Sequence, residues 1–142
     1  KAANSDVVQM LSLEMLGYYD DEIGSQKYPP VLRMFYPEHG AFIAFVGSMW
    51  HRGAVTGPVE AMRAGGDFPV YGFAGPEGMP GIGFSDQWSF WQVGYPGAML
   101  TDTSFFRTPH YHQLSDTPDT LDYDRFARVV VALRPTLTEL LR

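Results

Sequence analysis

Imidazoles and carboxylates are the side chains best suited to hold a divalent metal or move a proton near neutral pH. Two stretches of this 142-residue chain carry them in unusual settings. Glu14 lies near the C-terminal end of the run "VVQMLSLEML" (7–16), between Leu13 and Met15, in the most hydrophobic predicted strand. A carboxylate buried there needs a hydrogen bond, a metal or a proton, because leaving it unpaired costs several kcal/mol. A solvent-reaching glutamate at a strand end, or one paired with an arginine such as Arg33, would satisfy the same physics. The second stretch is "FFRTPHYHQLSDTPDTLD" (105–122), with His110, His112 and three aspartates on a segment without helix or strand period. A neutral imidazole on a loop after a strand suits zinc, with carboxylates behind it to orient the ring. An ordinary capping-rich lead-in to a helix would read the same way, and H-x-H alone does not decide.

Composition narrows the function classes. Hydrophobic residues make up 45% of the chain and charged residues 18%, the balance of a globular protein with a core of its own. The net charge of −6 disfavours nucleic acid or an anionic membrane as partner. No apolar run approaches the roughly 20 residues of a membrane-spanning helix. The lack of cysteine removes disulfides, thiolate metal sites and cysteine nucleophiles. The chain opens at "KAANSDVV" with neither an initiator methionine nor a signal-peptide pattern, which leaves an upstream segment open.

The elements that must position these residues alternate along the chain. Strands are predicted over 7–16, 41–47, 68–75 and 97–103, with 7–16 apolar enough to be buried on both faces. "TGPVEAMRAGG" predicts a helix with Thr56 as N-cap, Pro58 in its first turn and Gly65-Gly66 as its stop. "SDQWSFWQVG" (85–94) predicts another, capped by Ser85, with Asp86 in the first turn and Gly94 as terminator. In the last helix Phe126, Val129, Val130, Leu133, Leu137, Leu140 and Leu141 share a face, and Pro135 predicts a kink. Strands interleaved with helices imply one α/β layered domain over 1–142 with a mostly parallel or mixed sheet.

In order and over nearly the whole chain, "MLSLEMLGYY", "AFIAFVG", "GFSDQWSFWQVGYPGAMLTDTSFFRTPHYHQLSDTPDTLD" and the closing helix resemble the C-terminal half of an M28-family zinc peptidase. That resemblance implies a phosphorylase/hydrolase-like three-layer α/β sandwich, two co-catalytic zinc ions and hydrolysis of N-terminal peptide bonds. It implies that Glu14 is one metal ligand and that His112, rather than His110, is another. It implies that Tyr111 and Asp116 support the histidine. Asp86 is expected at the substrate amine or on Glu14, unless it serves only as a first-turn helix acid. The partner implied is a peptide substrate, and the family suggests a secreted or periplasmic setting.

Two departures from the family stand out. Gln87 occupies a position where the family usually has histidine, a change expected to alter the pocket more than the metal. The family's first histidine ligand, its bridging aspartate and its paired glutamates lie upstream of the strand holding Glu14, and within 1–13 only Asp6 is acidic. A two-metal hydrolase needs a bridging carboxylate and a base for the attacking water. The isolated chain is therefore expected to be inactive, with zinc weak or absent. The missing half is also expected to leave an uncovered sheet edge through which the chain associates with itself. The competing readings are a non-catalytic peptidase-like binding or assembly module and a glutaminyl-cyclase-like acyltransferase on the same scaffold.

Overall fold

The computed structural model describes residues 7–141. Asp6 lies outside them. Four strands, β1 (Met10–Glu14), β2 (Ile43–Ser48), β3 (Val70–Gly75) and β4 (Gly97–Thr101), form one sheet in the order β1-β4-β2-β3. β1 runs parallel to β4 and β2 parallel to β3, while β4 and β2 are antiparallel, so the sheet is mixed. Helix α1 (Gly53–Gly65) joins β2 to β3, the short α2 (Gln87–Trp91) precedes β4, and α3 (Tyr123–Leu140) closes the chain. The result is an α/β domain. No helix among the described residues is long and apolar enough to cross a membrane.

Because side chains alternate along a strand, each strand sends one set to each face of the sheet. Ile43, Phe45, Val70, Ala98 and Leu100 point to one face and bury against Val55, Val59 and Met62 of α1 and Val129 and Leu133 of α3. The opposite face receives α2 over β4, where Gln87 and Trp91 crowd Gly97. The two helices of the first face meet closely at Gly65. A Cβ there would sit 2.0 Å from the Pro135 ring, so glycine is the only residue that fits.

Several expectations need correction. β1 is an edge strand rather than one buried on both faces: Leu13 is 53% exposed, since apolar composition reports what a strand can bury, not what covers it. Helix α1 begins three residues before Thr56, because a 3-10 turn at Met49–His51, capped by Ser48 Oγ on the Trp50 N–H, feeds straight into it. Pro58 therefore stands inside the helix. In α2, Asp86 rather than Ser85 holds the N-cap position, without a side-chain cap bond, while Gly94 does end the segment with φ +82°. Helix α3 holds Pro135 in its interior, as the sequence places it, and starts on Asp122, whose Oδ1 accepts from the Arg125 N–H. Its buried stripe is Val129, Ala132, Leu133 and Thr136; Val130, Leu137 and Leu141 are exposed. The stripe is narrower than the run of apolar residues because α3 packs chiefly against α1, and its outer side faces solvent.

The two sheet edges differ. On β3, the carbonyl of Val70 accepts from Arg63 Nη2 at 2.8 Å and that of Gly72 from Tyr36 Oη at 2.8 Å. On β1, the Met10 N–H donates to Pro96 O, which turns the backbone groups of Leu11 and Leu13 outward. Among the described residues those groups meet no partner.

Candidate functional site

The sheet face opposite α1 and α3 is the floor of a cleft of about 570 Å³. Register builds that floor as a row. Glu14 pairs with Thr101, Thr101 with Ala44, and Ala44 with Tyr71, so these four residues cross the sheet side by side. All four line the cleft, with the carboxylate at one end and the phenol ring at the other.

Glu14 is held by side chains of its own face. Ser85 Oγ donates to Glu14 Oε1 at 2.5 Å and also contacts Ser12 Oγ at 2.7 Å. Ser12 is two residues before Glu14 on β1, on the same side of the strand. Arg33, the alternative partner, instead pairs with Glu38 at 2.9 Å on the surface. The chain then turns sharply, with Met15 at φ 52°.

The turn after β1 is fastened to the turn after β4 by Asp102. Its two carboxylate oxygens accept from the backbone N–H groups of Tyr18 (2.9 Å) and Ser104 (3.0 Å), and its own N–H donates to Met15 O (2.7 Å). Burial pushes this carboxyl up to about 6, against the lowering effect of those N–H donors and of Arg107. Arg107 braces the same corner from inside. Its Nε donates to Gln26 Oε1 (2.8 Å), its Nη1 to Phe42 O (2.8 Å), and its guanidinium lies 4.5 Å from the centre of the Phe42 ring. Burial lowers its pKa to about 10, which leaves it cationic at neutral pH.

The loop 105–122 presents its residues unevenly. His112 lines the cleft and stacks on Tyr111 with ring centroids 3.9 Å apart. His110 is directed elsewhere, with Nδ1 2.9 Å from Ser115 Oγ and its ring edge-on to Tyr18. Asp116 lines the cleft, but its side chain makes no hydrogen bond to either histidine among the described residues. Thus Glu14, Tyr111, His112 and Asp116 come to one cleft. Asp86 does not: it is exposed outside it, and Ser85 is the group on Glu14. Gln87 is wholly buried behind the wall, its Nε2 donating to Ile82 O, and reaches the cleft only through Ile82.

Backbone strain collects at the same place. Among the described residues the non-glycine positions with positive φ are Met15, Thr103, Ser104 and His112, and all four line the cleft. Such conformations cost on the order of 1–3 kcal/mol each and persist where the surroundings hold them for a purpose. Sequence reasoning missed Ser85, Asp102 and Arg107. A buried charge in "GAMLTDTSFFR" was the available signal, because a carboxylate and a guanidinium five residues apart around a strand end need partners wherever they are buried.

As donors, Glu14 and His112 suit zinc in kind. In number they fall short of a full ligand set, and no group of three or more His, Asp or Glu able to hold a metal occurs among the described residues.

No protein-family model matches the chain. It is similar to the uncharacterized protein YfbL of Escherichia coli (strain K12), with 44% identity over 122 residues. The match takes in 85% of this chain and 38% of that relative's length.

Proposed function

We propose that this chain is the C-terminal portion of a zinc-dependent aminopeptidase domain built as a phosphorylase/hydrolase-like sandwich. The observation that supports this best is that Glu14 and His112 line one cleft, together with every positive-φ non-glycine position among the described residues. Glu14 and His112 would each give one ligand to the metal site, with the remaining ligands and the general base supplied upstream. The chemistry such a metal would supply, held in part by Glu14 and His112, is polarisation of the scissile carbonyl and activation of water. The chain's own residues position the reactants. Ser85 keeps the Glu14 carboxylate oriented, and the Asp102–Arg107 brace fixes the two turns that flank it. Tyr111 holds the His112 ring by stacking.

The test uses the longest reading frame that carries this sequence. Hydrolysis of aminoacyl-nitroanilides should require zinc, disappear with a chelator, and be lost in Glu14→Gln and His112→Asn. Residues 1–142 alone should be silent, even with added zinc. A zinc-replete full-length protein that cleaves none of these substrates sinks the proposal. The open β1 edge also supports self-association of the isolated segment through Leu11 and Leu13. Light scattering over a concentration series checks it, and a monomer at high concentration removes it.

A further inference from the structure

Apart from Glu14, Ser12 is the one polar residue of β1, and it is only 5% exposed although β1 is an edge strand. The two residues share a side of the strand, with Ser12 opposite Met99 and Glu14 opposite Thr101 on β4. A buried hydroxyl needs a hydrogen-bond partner. Among the described residues, the partner that Ser12 Oγ meets is Ser85 Oγ at 2.7 Å, from a residue 73 positions further along the chain. Ser85 stands just ahead of α2, where its carbonyl accepts from the Trp88 N–H and its backbone is fixed by that turn. Neither serine lines the cleft, so Ser12 can reach it only through what it does to Ser85 and Glu14.

Counting protons gives these contacts a direction. A serine hydroxyl carries one proton and two lone pairs. The proton of Ser85 goes to Glu14 Oε1 at 2.5 Å, the length of a charge-assisted O–H···O⁻ bond. Ser85 therefore meets Ser12 as an acceptor, and Ser12 is the donor. The hydrogen bonds run from Ser12 to Ser85 to Glu14, and each polarises the next. Ser85 is also the one hydrogen-bond donor on the Glu14 side chain among the described residues, so the carboxylate has no second group to hold it. We infer that Ser12 is a positioning residue for Glu14: by donating to Ser85 it commits the single Ser85 proton to Oε1 and leaves Oε2 as the oxygen free for a ligand. From the peptidase reading above this takes only the role of Glu14 as a metal ligand.

The first measurement needs no metal. In the metal-free protein from the longest reading frame, the Ser85 hydroxyl should give a slowly exchanging, downfield proton resonance that Ser85→Ala removes. Ser12→Thr and Ser12→Val have the same shape and differ in the hydroxyl, so any cost of the added methyl cancels between them. Ser12→Thr should keep the resonance, and Ser12→Val should move it upfield or abolish it. Zinc affinity, read by competition with a chromophoric chelator, is the second measurement. A partner bonded directly to a metal ligand typically changes affinity by about 10- to 100-fold, so Ser12, one bond further out, should make Ser12→Val about 3- to 10-fold weaker than Ser12→Thr. In the Ser85→Ala background the same two variants should differ by less than about 2-fold, because the link to Glu14 is already cut. A wild-type protein without the resonance, a resonance indifferent to Ser12→Val, or the same zinc difference with and without Ser85 would each overturn the inference. Zinc lost in Glu14→Gln yet equal in the two Ser12 variants would remove this inference alone. A resonance that follows Ser12 in a protein whose zinc affinity ignores Glu14→Gln would sustain the positioning of Glu14 and remove the peptidase reading.

Discussion

The two faces of the sheet are made by the same strands and obey opposite rules. On the helical face, Ile43, Phe45 and Leu100 are completely buried and locked against α1 and α3. One residue along each strand, on the cleft face, stand Glu14, Thr101, Ala44 and Tyr71, with a carboxylate, a cavity and four strained backbone positions around them. Packing at interior density stabilises the first face. On the second, burial is incomplete, Asp102 titrates against its preference and the backbone stores strain. A protein keeps such features where stability alone would remove them, which is why the cleft rather than the helical face is the candidate for chemistry.

Substitutions that separate the faces test this contrast. The largest loss of stability should come from Phe45→Ala, which empties a fully buried ring position and should cost about 3–5 kcal/mol in urea unfolding. A cost under about 1 kcal/mol would mean that the helical face is not the stabilising one. Glu14→Gln should do the reverse in the full-length protein. It keeps an acceptor for Ser85, so the melting midpoint should hardly move, while kcat/KM should fall about 1,000-fold, equivalent to about 4 kcal/mol of transition-state stabilisation. Parallel losses of stability and activity would show that Glu14 belongs to the fold rather than the site.

Asp102 should give a pH signature of intermediate size. Its carboxyl titrates near 6 when folded and near 3.8 ordinarily, so between these values the native state holds a proton that the unfolded chain has lost. Its contribution to stability is full below about pH 4 and is lost as pH rises through 6, amounting to about 3 kcal/mol. Unfolding free energies from pH 4 to 7 should show that decline in the wild type relative to Asp102→Asn, which cannot titrate. Equal slopes would remove the assignment. The smallest effect should be that of His112→Asn on stability. Asparagine tolerates the left-handed conformation that histidine adopts at φ 56°, so the fold should change by less than about 1 kcal/mol. Zinc affinity, read by competition with a chromophoric chelator, should nevertheless drop by 10-fold or more. Undiminished affinity would take His112 out of the proposed metal site.

Near-neighbour chemistry was enough to read much of this molecule from its sequence. The runs 41–47, 68–75 and 97–103 became β2, β3 and β4 within a few residues, because a short apolar run between turn formers has few other stable conformations. Gly94 ended its helical segment for a reason confined to one residue's backbone, its φ of +82°. The types of Glu14 and His112 were likewise visible as polar groups where apolar ones were expected. What joins them was not. Glu14 is oriented by Ser85 across 71 positions, and Arg107 reaches Phe42 O across 65. β4, last of the strands in the chain, lies inside the sheet between β1 and β2, and this puts Thr101 next to Ala44 to form the cleft floor. Pattern and propensity act over a few residues and so are written locally. Strand order, the covering of an edge and the partner of a buried charge depend on how distant segments exclude water together, and only the folded chain decides them.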